Sequence, residues 1–196
     1  MSAERRRRSG RSAASVLIAI AVLLTAAFAL WRLMIAPQVE LYMYPLGYTE
    51  LVERYSKENG LPSELVYAVI LTESSFREDA LSPAGAKGLM QLTDDTSEWV
   101  AMLLGEEPRP DDIYEPELNI RRGCRLLAYL YAEFGGWEEA LAAYNAGIGR
   151  VRGWLENPEL SEGGRLICES IPIAETRAYV ERVLRAADKY RSLYFS

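Results

Sequence analysis

The chain has 196 residues, 49% hydrophobic and 26% charged, which suits one globular domain with a short appendage and excludes a disordered chain. Its net charge is -6, from 22 basic and 28 acidic residues, and an acidic body excludes nucleic acid as the expected partner. With no histidine and two cysteines, the chain lacks Ser-His and Cys-His nucleophilic systems and histidine-based or thiolate-rich metal sites. Catalysis is therefore expected from carboxylates, hydroxyls, amides or amines, with no metal and no cofactor.

The first twelve residues hold Arg5 to Arg8 and Arg11. Ala13 to Trp31 is apolar except for Ser15 and Thr25, and the run continues past Arg32 through Leu33, Met34 and Ile35. Roughly 20 such residues span a bilayer. A cleaved signal peptide has a shorter apolar core, roughly 7 to 15 residues, ending in small residues. Ala27-Phe28-Ala29 would pass as such a site, but it lies inside the run. The expected organisation is a basic cytoplasmic segment (1–12), an uncleaved transmembrane anchor (13–36), an aromatic-rich linker (37–47) and an extracytoplasmic domain (48–196).

Within the domain, Thr49 is the expected N-cap of a helix that Gly60 ends, and Pro62 opens the next. Pro83, Gly85 and Gly88 mark a structured turn between Leu81 and Leu92, before a helix from about Asp95 to Leu104. Pro108 and Pro110 mark a loop. Glu115-Pro116 opens a long amphipathic helix to Phe134, ended by Gly135-Gly136, and an alanine-rich helix follows from Trp137 to Asn145. A short helix around Val151 to Leu155, a polar loop near Ser161 to Gly164 and a last helix from Glu175 to about Tyr194 complete the chain. No stretch alternates apolar and polar residues at length, so the domain is expected to be all or mostly α-helical. Cys124, inside a helix, suits a small buried thiol, while an extracytoplasmic location also permits a bridge to Cys168.

In the helix after Pro62, Val66, Val69 and Ile70 recur at helical spacing, and Glu73 is the next position on that stripe. Burial there, in the last turn where the helix dipole disfavours an anion, raises a carboxyl pKa. A carboxyl group kept protonated near neutral pH suits a general acid, as glycosidic bond cleavage requires. The competing reading has Glu73 curling to solvent or pairing with Arg77. Asp94, Asp95 and Glu175 are each explained as first-turn helix acids.

Four motifs occur in order: Glu73-Ser-Ser-Phe76, Ser82-Pro-Ala-Gly-Ala-Lys-Gly-Leu-Met-Gln-Leu92, Ala142-Ala-Tyr-Asn-Ala-Gly147 and Glu175-Thr-Arg-Ala-Tyr-Val180. With them the chain from about Tyr48 to Tyr194 resembles the soluble-lytic-transglycosylase-like domain, a lysozyme-like fold that cleaves peptidoglycan. The resemblance implies that Glu73 is the sole catalytic acid/base. It would protonate the oxygen between N-acetylmuramic acid and N-acetylglucosamine, then take a proton from the muramoyl C6 hydroxyl as a 1,6-anhydro ring closes without water. It further implies substrate contacts from Ser82, Gln91, Tyr144 and Asn145, and a Tyr179 near the catalytic carboxyl or adjacent sugar. Ser74 either orients Glu73 or bonds locally to the helix backbone. Where many members continue after Gln91 with a hydrophobic residue, methionine and proline, this chain has Leu92, Thr93 and Asp94. The expected partners are peptidoglycan glycan strands and, through the N-terminal helix, a membrane. A muramidase-type hydrolase and a non-catalytic peptidoglycan-binding or assembly module are the alternatives.

Overall fold

The computed structural model describes residues 3–107 and 113–195, with side chains from Ser15 onward. The expected loop at Pro108 and Pro110, and the side chains of Arg5 to Arg8 and Arg11, lie outside the described part. The chain forms two compact units, Met1–Pro45 and Leu46–Ser196.

The first unit is helical from Ala3 to Met43: α1 (Ala3–Leu30), a π-helical turn (Trp31–Ile35) and α2 (Ala36–Met43). Pro37, near the start of α2, has no N–H to donate, and its ring crowds the carbonyl four residues back. The widened turn lies directly before it. Of the linker expected over 37–47, the first seven residues are helical. Proline is tolerated in a first turn, and nothing from Gln38 to Met43 breaks a helix. The helix is correspondingly longer than the expected anchor. The 29-residue segment Ser15–Met43 contains an 18-residue stretch of mean hydropathy 2.3, none of it buried, and is long and apolar enough to cross a membrane.

The second unit contains α3 (Thr49–Asn59), α4 (Ser63–Ser74), α5 (Asp94–Leu104), α6 (Pro116–Phe134), α7 (Trp137–Ala146), α8 (Ile148–Leu155) and α9 (Ala174–Tyr194). Local chemistry sets several of their ends. The Thr93 hydroxyl accepts from the Thr96 N–H, and the Glu115 carboxylate accepts from the Glu117 and Leu118 N–H groups ahead of Pro116. Thr49 is the first helical residue rather than the cap, a place taken by Tyr48 in the left-handed region. The loop expected at Ser161 to Gly164 belongs to a small antiparallel hairpin, β1 (Ser161–Glu162) with β2 (Arg165–Leu166). Gly163 and Gly164 both have positive φ, as a two-residue primed turn requires. The buried Glu139 of α7 secures the hairpin by accepting from the Leu166 N–H at 2.8 Å. The mostly helical expectation holds.

α4 is the core element. It packs most extensively on α9 and also on α3, while α7 packs on both α6 and α9. Every residue from Leu65 to Ile70 is at most 3% exposed, so α4 is buried on all sides and not along a single stripe. Tyr67 stacks on Tyr190 of α9 at 5.4 Å. Cys124 is buried within α6, Cys168 lies in the 3-10 turn Cys168–Ser170, and both are free thiols.

Because Ile70 is wholly enclosed, Ile70→Ala is expected to cost about 2 to 5 kcal/mol. Urea unfolding monitored by circular dichroism measures this.

Candidate active site

Glu73 occupies the last turn of α4, and the chain reverses immediately behind it. Ser75 (φ 52°) and Phe76 (φ 61°) are both left-handed, a conformation that costs an ordinary residue roughly 1 to 2 kcal/mol. Packing holds them there. The Phe76 ring lies against Gly47, where an added Cβ would come within 2.7 Å of it, and 6.4 Å from the Tyr67 ring. Arg77 does not pair with Glu73. Its backbone N–H and its Nε both donate to the Ser74 carbonyl, at 3.2 and 3.1 Å.

Burial dominates the titration of Glu73 and pushes its pKa up from the ordinary 4.5 to about 7. The Tyr179 hydroxyl and the Arg182 charge, both from α9, act against burial. Tyr179 is 3% exposed, and its hydroxyl stands close enough to the Glu73 carboxyl to favour the ionised form. Burial and the negative field of Glu73 hold the phenols of Tyr144 and Tyr179 well above their ordinary range. Three elements thus surround one carboxyl: α4 carries it, α7 brings Tyr144, and α9 brings Tyr179 and Arg182.

The turn 81–92 is built from backbone bridges. Ser82 and Ala86 are linked by a backbone bond of 2.9 Å, and Lys87 and Leu92 exchange two at 2.9 and 3.1 Å. Gly88 has φ 75°, and a Cβ there would overlap the Asn119 side-chain amide. Met90 is wholly buried, and its carbonyl accepts from the Tyr144 hydroxyl at 2.6 Å. Leu92 is buried and Thr93 caps α5, so the departure from the family pattern is occupied by a core residue and a helix cap. Asp94 and Asp95 lie in the first turn of α5, as expected, with Asp94 gripping Lys87 at 2.8 Å, and Glu175 lies in the first turn of α9.

The sequence-predicted residues divide by what their polar atoms do. Asn145 is exposed at the end of α7. Its Oδ1 accepts from the Thr176 hydroxyl at 2.7 Å, and among the described residues its Nδ2 has no partner. Ser82 is half-buried, with its hydroxyl accepting from the Ala86 N–H at 3.0 Å. Gln91 is left-handed (φ 49°), and its side-chain N–H groups donate to the Ala80 and Gly88 carbonyls at 3.1 and 3.0 Å. Its donors therefore serve the turn, leaving its carbonyl oxygen for other contacts. Of the two readings of Ser74, the structure shows the local one: it is 2% exposed and its hydroxyl donates to the Ile70 carbonyl at 3.1 Å, because its position on α4 turns it into the core and away from a substrate. Sequence reasoning missed Asn119 and Arg182, whose partners lie on other elements and leave no local signal.

Glu73 titrates higher in the folded chain than the ordinary 4.5. Its protonated form therefore favours the fold fully below that value, and this contribution is lost as pH rises through about 7. At one pKa unit per 1.36 kcal/mol, the loss is about 3 kcal/mol. Glu73→Gln, which never ionises, is expected to exceed the native protein in stability by up to this amount at pH about 8, with the difference vanishing near pH about 4.5. Thermal unfolding across that pH range measures it, and equal stability at high pH would contradict the burial of the carboxyl.

Residues 50–164 match the family profile described as the transglycosylase SLT domain. A soluble lytic murein transglycosylase of Salmonella typhimurium is 38% identical over 151 residues, covering 76% of this chain and 23% of that protein. A membrane-bound lytic murein transglycosylase C of Glaesserella parasuis is 29% identical, covering 74% of this chain and 46% of its own. Among solved structures, the 70 kDa soluble lytic transglycosylase of Escherichia coli matches with a TM-score of 0.73 at 36% identity, over 78% of this chain and 25% of that one. An inactive glutamate-to-glutamine mutant of Slt from Pseudomonas aeruginosa matches with a TM-score of 0.68 at 36% identity, over 76% of this chain and 25% of its own. The chain thus spans about a quarter of the length of the soluble relatives it matches. The profile ends before α9, which supplies Tyr179 and Arg182. With the profile covering more than half of its residues, on a lysozyme-like helical fold, the chain belongs to the transglycosylase SLT domain family.

Proposed function

We propose that the domain over residues 48–196 is a peptidoglycan lytic transglycosylase with Glu73 as its single acid/base. The observation that carries this reading is a carboxyl group buried at the end of a core helix, with a pKa pushed up to about 7. Such a group is protonated often enough near neutral pH to donate, and ionised often enough to accept. The relatives' names, and the inactivation of one of them by a glutamate-to-glutamine change, support it.

In the proposed reaction, Glu73 gives its proton to the oxygen between N-acetylmuramic acid and N-acetylglucosamine as the glycosidic bond breaks. The muramoyl C6 hydroxyl then attacks C1 of the same sugar, and the Glu73 carboxylate takes the hydroxyl proton. The products are a free N-acetylglucosamine end and a 1,6-anhydromuramoyl end, with the acid regenerated. One carboxylate suffices because the nucleophile belongs to the substrate and reacts at high effective concentration. Asn145, with its free amide donors, Ser82 and the carbonyl oxygen of Gln91 are the groups offered to sugar hydroxyls and acetamides, and Tyr144 and Tyr179 flank the acid.

Residues 13–36, extended by the helix to Met43, serve as a single-pass membrane anchor. The arginines of residues 1–12 stay on the cytoplasmic side, and the domain works outside. The exposed apolar side chains of this helix support the assignment, as does the membrane-bound relatives' name.

Digestion of purified peptidoglycan followed by mass spectrometry is expected to give 1,6-anhydromuramoyl ends. Reducing ends heavier by one water would establish a hydrolase, and binding without cleavage would establish a non-catalytic module. Glu73→Gln is expected to abolish cleavage while the domain stays folded.

Activity that needs protonated Glu73 falls as pH rises through about 7. Arg182 favours the ionised form, so Arg182→Ala is expected to move this basic limb to higher pH. A pH–rate profile unchanged by that substitution would contradict the assignment of Glu73 as the acid.

A further inference from the structure

Asn119 is wholly buried in the first turns of α6, and every hydrogen-bonding group of its amide is used. Oδ1 accepts from the Met90 N–H at 2.7 Å, while Nδ2 donates to the Lys87 carbonyl at 3.0 Å and the Ile113 carbonyl at 2.8 Å. Two of the three bonds fall on the turn 81–92, at either side of Gly88 and Leu89. Gly88 lets the amide approach, since a Cβ at that glycine would overlap Nδ2 and lie 2.9 Å from Cγ. One turn further along the same face of α6, Gly123 makes room for the Met90 side chain. A Cβ there would overlap the sulfur and lie 2.7 Å from Cε and 2.9 Å from Cβ.

Met90 is therefore fixed on three sides. Asn119 holds its N–H, Gly123 accommodates its side chain, and its carbonyl receives the Tyr144 hydroxyl at 2.6 Å. Tyr144 in turn lies within the field of Glu73, alongside Tyr179 and Arg182. Asn119 forms none of its hydrogen bonds with these groups, and its wholly buried amide is closed to a ligand.

We propose that Asn119 is a positioning residue. Through the Met90 backbone it sets where Tyr144 stands beside Glu73 and where the next residue, Gln91, is held. The proposal rests on the reading of Glu73 as the acid, and it assigns to α6 a part in catalysis without contact to substrate. Its distinguishing consequence is that Asn119 and Tyr144 act in series: once the Tyr144 bond to Met90 is gone, loss of the Asn119 amide has little left to disturb.

The test compares the native protein with Asn119→Leu, Tyr144→Phe and the double variant. Leucine matches the shape of asparagine without adding a charge. Asn119→Leu is expected to lower kcat by about 10- to 100-fold with KM nearly unchanged, as expected from small misplacements of catalytic groups. The double variant is expected to fall little below the lower of the two single variants. Glu73 titration, followed by carbon-13 NMR of its carboxyl, is expected to shift alike in both single variants and the double. Native kcat and an unmoved Glu73 midpoint in Asn119→Leu would overturn the proposal, as would losses that multiply in the double variant. If Asn119→Leu does not fold, Gly123→Ala displaces Met90 from its side-chain side. A lowered kcat with a shifted Glu73 midpoint in that variant supports the proposal, and native behaviour overturns it. Failure of the catalytic reading looks different, with no cleavage by the native protein. The Glu73 midpoints of the variants then still decide whether Asn119 positions the site.

Discussion

The structure depends on keeping a carboxyl group largely desolvated at the end of a helix whose middle is wholly enclosed. α4 is enclosed from Leu65 to Ile70, and its last turn emerges only to half-buried positions at Leu71, Thr72 and Glu73. Desolvation penalises the ionised form of Glu73 by more than Tyr179 and Arg182 recover. The group is thereby held near its protonation midpoint at neutral pH, and the same burial opposes stability once it ionises. The reversal behind it adds further strain, since Ser75 and Phe76 both adopt left-handed backbone. The enclosure of Phe76 against Gly47 and Tyr67 offsets that strain, so the aromatic packing under the reversal is part of what holds the acid in place.

Around this carboxyl the chain places neutral polar groups held by other parts of the fold. The turn 81–92 has little apolar content of its own beyond Leu89, Met90 and Leu92, and its shape comes from its neighbours. Gln91 ties it to Ala80, Asn119 ties it to α6, and Tyr144 ties it to α7. Each bond uses a buried donor or acceptor that would be costly to leave unpaired, which makes the arrangement specific. The mobility that a glycine-rich turn would have in isolation is thus removed by side chains distant in sequence.

Much of the fold was legible along the chain because its signals are local. Glu115-Pro116 and Gly135-Gly136 bracket α6, Thr93 precedes α5, and α9 begins within one residue of its expected start. The differences have equally local causes. Helix-compatible residues continue as far as Met43, ahead of the punctuation at Pro45 and Gly47, and Gly163-Gly164 reads as a loop because strands of two residues have no periodicity to detect. In the candidate site, Glu73 stood out as a charge among apolar residues, although the single stripe it appeared to continue is one side of a helix buried all round. The sequence leaves Ser74 open between two readings for a related reason. Adjacent residues on a helix point about 100° apart, and which of them faces the core depends on what packs there.

The sequence by itself determined the helical class, the long apolar N-terminal run, the exclusion of histidine chemistry and thiolate-rich metal sites, and a carboxylate, Glu73, set among apolar residues. These follow from composition and from contacts between near neighbours. Only the tertiary structure decided which polar groups surround that carboxylate, because α4, α7 and α9 meet through packing between residues scores of positions apart. It also decided that Asn119, unremarkable in its own helix, grips the turn carrying Met90 and Gln91. A buried amide is recognisable by its partners, and those partners are assembled only when the chain folds.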